Sequence, residues 1–199
     1  MHFLDIDKNS LKKYLEESIK IWNLINYQLK KTSGIHRMSL ERLQILYICI
    51  RHLKPEIVVE TGVAGGSTSF AILSAFEKNN RGKFFSIDIG FSGWFPGGHT
   101  VGYLVPRKMR TNWNLIIGNS RNELPKLLNN LKNVDIFFHD SDHSYNHMMF
   151  EFETILPYLR KKKVILADDI NLNSAFEDFA KKMKFSYAKF YGLGIAKPL

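Results

Sequence analysis

From residue 56 onward the chain carries five short β-branched or aromatic runs, each with a polar residue at its end and four of them followed by a stretch with helical spacing. The runs are 57–61, 83–88, 115–118, 134–140 and 163–168. Helical periodicity follows through Phe70, Leu73 and Phe76, then over about 121–131, 144–159 and 174–183. Strands separated by helices cannot pair as hairpins. Each connection must cross over, which puts neighbouring strands parallel and covers both faces of the sheet with helices. An α/β fold is therefore expected, closed at 185–197 by a hairpin around Tyr191-Gly192.

Two helices precede this pattern. One spans 8–31, with Leu11, Leu15, Ile19, Trp22 and Ile25 as its apolar face and Asn9 or Ser10 as its cap. The second spans 39–53, with Ser39 as cap, Leu43, Leu46, Tyr47 and Ile50 as its buried stripe, and Pro55 as its stop. Cys49 and Trp22 are read as core residues. The expected division is a helical extension over 1–54 packed on a sheet domain over 55–199, with no linker between them. One segment breaks the alternation. Gly90, Gly93, Gly97, Gly98 and Gly102 are interleaved with Phe91, Trp94, Phe95 and Tyr103, as in an adaptable flap over the strand ends.

With 45% apolar residues in 199, the chain has enough material for a buried core, so disorder and repeat architectures fall away. A single cysteine excludes an internal disulfide. The start, Met1-His2-Phe3-Leu4-Asp5, lacks the basic region and cleavage site of a signal peptide, and no apolar run reaches a membrane span. A cytoplasmic protein is expected. The formal charge of +9 raises the question of a nucleic-acid partner. The excess lies in 1–54, 101–135 and 171–199, whereas 55–100 and 136–170 are net negative.

In open α/β sheets ligands bind at the carboxyl ends of the strands. Here those ends carry Glu60, Asp88, Asn119/Ser120, Asp140 and Asp168/Asp169. The first turn, Glu60-Thr61-Gly62-Val63-Ala64-Gly65-Gly66-Ser67, permits close approach of backbone to a ligand. Its spacing differs from the dinucleotide fingerprint, and Glu60 suits a ligand with a positive end. Asp88 is placed for ribose hydroxyls or caps a helix. Asp140, Asp142, Asp168 and Asp169 bring several carboxylates to two adjacent strand ends. Such charges need protonation or a bridging cation, and an all-oxygen set suits Mg²⁺. The alternative is that Asp142 and Asp169 cap the helices that follow.

Strand–Glu60-x-Gly62-x-x-x-Gly66–helix, Asp88 ending the second strand, and the Asp140-Ser141-Asp142-His143-Ser144-Tyr145 stretch with Asp168-Asp169 resemble class I S-adenosylmethionine-dependent methyltransferases. Within that class the resemblance is to the metal-dependent O-methyltransferases of sugars and catechols, and it covers about residues 55–199. It implies a Rossmann-like, mostly parallel seven-stranded sheet with helices on both faces and two extra N-terminal helices. It further implies that Glu60, Gly62, Gly66 and Ser67 hold the amino-acid end of S-adenosylmethionine, with Asp88 on the ribose. Asn119, Ser120 and Arg121 lie beside the adenine, and Asp140 sits at the cofactor as well as the metal. Asp140, Asp168 and Asp169 ligate Mg²⁺, and the general base is His143 or Asp142. An imidazole with an ordinary pKa near ~6.5 favours His143.

The expected activity is methyl transfer to a vicinal-diol hydroxyl of a saccharide or glycan precursor. A catechol-like acceptor, a metal-independent RNA methyltransferase and a non-catalytic S-adenosylmethionine-binding module are the alternatives. Nucleic acid is disfavoured, because the Asn/Asp-Pro-Pro-aromatic motif of amino-methylating enzymes is missing, as is a Lys-Asp-Lys-Glu set. Arg107, Lys108 and Arg110 are candidates to attract an anionic acceptor, and the N-terminal helices are a candidate homo-oligomer face. Arg160-Lys161-Lys162-Lys163 stands where such enzymes carry a glycine turn before the fifth strand. His139 is read as a packed core histidine, and neither His99 nor His147 shows a partner in sequence.

Overall fold

The computed structural model describes residues 2–32, 38–91 and 98–199. Of the expected flap, Gly93, Trp94, Phe95 and Gly97 lie outside the described residues. The helices are α1 (Lys8–Thr32), α2 (Leu40–Leu53), α3 (Ser67–Asn79), α4 (Ser120–Leu131), α5 (Tyr145–Ile155) and α6 (Ala175–Lys182). The strands are β1 (Ile57–Thr61), β2 (Lys83–Asp88), β3 (Trp113–Ile117), β4 (Val134–His139), β5 (Leu159–Ala167), β6 (Ser186–Phe190) and β7 (Leu193–Lys197). They form one seven-stranded sheet in the order β3-β2-β1-β4-β5-β7-β6. β1 runs parallel to β2 and β4, β4 runs parallel to β5, and β7 is antiparallel to both β5 and β6. The Rossmann-like α/β architecture and the closing hairpin are as expected.

The chain divides into two compact units. The first comprises 1–55, 63–82 and 90–114. Its buried side chains include Ile25, Leu43, Leu46, Tyr47 and Ile50, with Phe70, Ile72 and Leu73 from α3. α2 begins as expected, with the Ser39 hydroxyl accepting from the Arg42 N–H, and ends with Lys54 in the left-handed conformation before Pro55. α1 differs from expectation in two respects. Its cap is Asp7, which accepts from the Ser10 N–H at 2.9 Å, in place of Asn9 or Ser10. Its buried face is Tyr14, Ser18, Ile25 and Leu29, so the stripe is rotated and Ile19 is 43% exposed. The rotation lets Ser18 return its hydroxyl to the Leu15 carbonyl and frees Glu17 to meet Arg51. Cys49 is wholly buried, which pushes its thiol up to about 12, while Trp22 is only half-buried.

The second unit comprises 56–62, 83–89 and 115–199. Its core joins sheet residues Val59, Phe137 and Ile165 to Leu124 and Leu128 of α4, Met148 and Phe152 of α5, and Phe176 and Phe179 of α6. The 160–163 segment is strand, a correction to the expected turn. α5 stops at Ile155, and a short 3-10 turn over Leu156–Tyr158 carries the chain into β5. Pro157 has no N–H to continue the helical ladder. Arg160 then pairs with Glu56 at 3.3 Å and with the buried Asp135 at 3.5 Å. No helix among the described residues is long and apolar enough to cross a membrane.

Candidate active site

The parallel register places the carboxyl ends of β1, β4 and β5 side by side, because Thr61 pairs with His139 and His139 with Ala167. The chain leaves the sheet at these points, and the first residues beyond it are tied across strands. The Asp140 N–H donates to the Thr61 carbonyl at 2.8 Å, and the Asp168 N–H donates to the His139 carbonyl at 2.9 Å. Gly62 makes this close pairing possible. Its φ is +82°, and a Cβ there would overlap the Asp140 carbonyl. No L side chain fits that space or favours that backbone.

Beyond the strand ends, two carboxylates converge on one imidazole. His143 Nε2 lies 3.9 Å from Asp140 Oδ1 and 3.7 Å from Asp169 Oδ2. Its Nδ1 is enclosed without a hydrogen-bond partner among the described residues, and its ring stands edge-on to His139 with centroids 5.3 Å apart. Burial, reinforced by His139, holds the His143 pKa below the ordinary imidazole value, against the opposing pull of Asp169 and Asp142. Asp168 is buried, and Asp169 adopts a left-handed backbone with φ +50°.

Asp142 does something different. It is exposed, and its Oδ1 accepts the Ser144 N–H at 2.8 Å ahead of α5; that hydrogen bond holds its carboxyl below the usual range. It closes an Asx-type turn just ahead of α5, whose N-cap position is Ser144. Asp169 does not share that role, since its carboxylate faces His143.

Glu60 is wholly buried within β1 and accepts the Ser86 hydroxyl at 2.8 Å. Asp88 ends β2 half-buried, with its carbonyl accepting the Gly118 N–H. Asn119 caps α4 by accepting the Arg121 N–H at 2.9 Å. Ser120, the first residue of α4, is buried with its hydroxyl 2.9 Å from His147 Nε2. In the first unit Gly66 (φ +88°) precedes Ser67, the buried first residue of α3, and a Cβ on Gly66 would crowd Gly102. Arg110 is exposed, and its Nε and Nη2 donate to the Val105 and Gly102 carbonyls at 3.1 and 2.9 Å.

Sequence reasoning missed Glu151. This wholly buried residue of α5 accepts from Thr61, His139, Ser141 and His147. His139 is accordingly more than packing, and His147 does have partners. The one available signal was the i, i+4 spacing of His147 and Glu151 on a helix face. Burial pushes the Glu151 carboxyl up, but hydrogen bonds from His139 and His147 outweigh that and hold it below the usual range.

Among the described residues, no three of these acids and histidines are gathered into a preformed metal-binding group. The donor chemistry nonetheless suits a hard divalent cation. Asp140 and Asp168 leave adjacent strand ends, and the Asp140 and Asp169 carboxylates point to one place.

A family model described as "Methyltransferase domain" matches residues 59–170. The chain belongs to this family of methyltransferase enzymes, and its Rossmann-like sheet accords with that class. Three solved structures it is similar to are also methyltransferases. The O-methyltransferase NovP has 14% identity, covering 94% of this chain and 98% of that one, with a TM-score of 0.70. CalS11, a TDP-rhamnose 3'-O-methyltransferase of calicheamicin biosynthesis, has 17% identity over 78% of this chain and 76% of that one, with a TM-score of 0.57. MycE of the mycinamycin pathway, solved with Mg, SAH and mycinamycin VI, has 14% identity over 74% of this chain and 46% of that one, with a TM-score of 0.54. A search of curated proteins finds no match to the sequence.

Proposed function

We propose that this chain transfers a methyl group from S-adenosylmethionine to one hydroxyl of a vicinal diol, on a saccharide or glycan precursor. The observation that carries the reading is the convergence of Asp140 and Asp169 on His143 Nε2 at the strand ends. The sugar and the Mg²⁺ recorded in the names of CalS11 and MycE lend it support. In this reading Glu60, Gly62, Gly66 and Ser67 hold the amino-acid end of the cofactor, Asp88 the ribose, and Asn119 and Ser120 the adenine side. Asp140, Asp168 and Asp169 hold Mg²⁺, which when bound lowers the pKa of the acceptor hydroxyl.

His143 is the base. Its enclosed Nδ1 leaves Nε2 to receive the proton, and its depressed pKa keeps the ring neutral and able to do so near pH 7. Asp140 and Asp169 flank that nitrogen and stabilise the imidazolium once it forms. Asp142 is already committed to the Ser144 N–H. Its part is to hold the turn.

The test is methyl transfer to a panel of sugars, sugar nucleotides and catechols with Mg²⁺ or EDTA. Asp168→Ala should abolish metal-stimulated turnover while SAH affinity persists; full activity in EDTA would sink the metal assignment. No methylated hydroxyl on any acceptor, despite cofactor binding, would sink O-transfer itself. His143→Gln should lower kcat by about 10²- to 10⁴-fold, the usual range for losing a general base. Asp142→Asn should cost far less, and the opposite ranking would move the base to Asp142.

A further inference from the structure

Glu151 is an expensive residue to place inside a protein. It sits in α5 with no exposed surface, facing a core otherwise built from Phe152, Ile155 and Met148. A buried carboxylate is tolerated only when its hydrogen-bonding capacity is met. Here it is met in full. Oε2 accepts from Thr61 Oγ1 at 2.6 Å and from His139 Nδ1 at 2.6 Å. Oε1 accepts from Ser141 Oγ at 2.9 Å and from His147 Nε2 at 2.9 Å. Four donors occupy the four lone-pair sites that a carboxylate offers.

The identity of those donors points to a purpose. Thr61 is the last residue of β1, and His139 is the last residue of β4. Ser141 lies in the turn beyond β4, and His147 also meets Ser120, the first residue of α4. His139 and Ser141 are the two residues flanking Asp140 in the chain, and His139 stands edge-on to His143. One carboxylate therefore fixes the chain on both sides of Asp140 and the ring against which His143 rests. Well-packed apolar residues of similar volume often replace buried charged clusters with no loss of stability. Orientation of the strand-end turn is the property that such a replacement would lose.

We infer that Glu151 is a positioning residue for methyl transfer, holding the 139–143 turn so that Asp140 and His143 present one fixed geometry to the acceptor. This rests on the proposed O-methyl transfer for its kinetic consequence, and on the hydrogen-bond pattern alone for its structural one. Glu151→Gln tests it sharply. An amide nitrogen would replace one oxygen, so the hydroxyl and the imidazole facing it could no longer both donate; each must reverse its role, by hydroxyl rotation and a change of tautomer, or that side of the cluster opens.

Two readouts are needed, both taken well below the melting temperature. In the first, Glu151→Gln should lower kcat by about 10- to 100-fold, the scale of a displaced supporting residue, with SAH affinity and acceptor KM changed little. In the second, amide hydrogen exchange over 140–145 should rise while the centres of β1 and β4 stay protected. Ser141→Ala removes a single donor and should shift both readouts in the same direction by less, which keeps the test open if Glu151→Gln fails to fold. A folded Glu151→Gln with kcat within roughly twofold of the parent and unchanged exchange over 140–145 overturns the inference. So does a loss of kcat matched by an equal loss of SAH affinity, since that would be general destabilisation. If the parent protein methylates no hydroxyl, the functional reading fails, and the exchange measurement still decides whether Glu151 holds the turn.

Discussion

Two glutamates of this chain are held inside it by unlike partners. Glu17 of α1 is met by a permanent cation. Arg51 Nε donates to its Oε2 at 2.7 Å and Arg51 Nη2 to its Oε1 at 3.3 Å, while the Tyr47 hydroxyl donates at 3.0 Å. Arg51 also donates to Asn79 Oδ1 and lies over the Tyr14 ring, so α1, α2 and α3 are joined through one guanidinium. Glu151 has no Arg or Lys among its hydrogen-bond partners and depends on two imidazoles and two hydroxyls. A fork-shaped guanidinium gives a strong, directional clamp whose charge never changes. Imidazoles and hydroxyls give a web of hydrogen bonds at the strand ends that contains no guanidinium. The first arrangement belongs to stability and the second to geometry.

That contrast can be broken most forcefully at Arg51. Arg51→Met preserves much of the side-chain volume but leaves the Glu17 carboxylate without its cation. Removing one partner of this part-buried, charge-assisted pair costs about 1.5–3 kcal/mol, and chemical denaturation should register a loss of that order. The molecules that remain folded should retain kcat. Glu151→Gln should show the reverse weighting, with a large loss of kcat for a smaller loss of stability. If Arg51→Met lowers kcat in step with stability, or Glu151→Gln costs only stability, the two clusters do not differ in kind.

The same contrast explains what could be read from the sequence. The sheet and its acids were legible because strand ends in an α/β pattern are local features, visible in runs such as 134–140. The Ser39 cap and the Pro55 stop were legible for the same reason. Glu17 and Glu151 were not, because each is defined by partners far along the chain. Glu17 meets Arg51 34 residues away, and Glu151 meets Thr61 90 residues away. The face of α1 was misread because Ile19 completes an apolar periodicity that the fold leaves exposed, while Ser18, satisfied by the Leu15 carbonyl, goes inside. The 160–163 segment was misplaced because the family resemblance puts a turn before the fifth strand, whereas here it lies within β5 and Arg160 pairs from it with Glu56 and Asp135. Asp142 and Asp169 look alike in sequence, and only the direction of their side chains separates an acid that closes a turn on the Ser144 N–H from one that faces His143.

A subtler probe of the clamp is its response to pH. Burial pushes the Glu17 carboxyl up, but hydrogen bonds from Arg51 and Tyr47 and the Arg51 charge together hold it below the ordinary glutamate value of 4.5. A carboxylate whose folded pKa is depressed binds its proton more readily in the unfolded chain. Its contribution to stability is complete above the unfolded pKa and disappears as pH falls through the folded one. Glu17→Gln should therefore be less stable than the parent at pH 7, and the gap between the two should narrow as pH drops below about 4.5. The residual gap at the acidic limit measures what the carboxyl group contributes by shape and neutral hydrogen bonding alone. Urea denaturation of both proteins across that range decides the matter, because a gap independent of pH would mean that ionisation of Glu17 plays no part in holding α1 to α2.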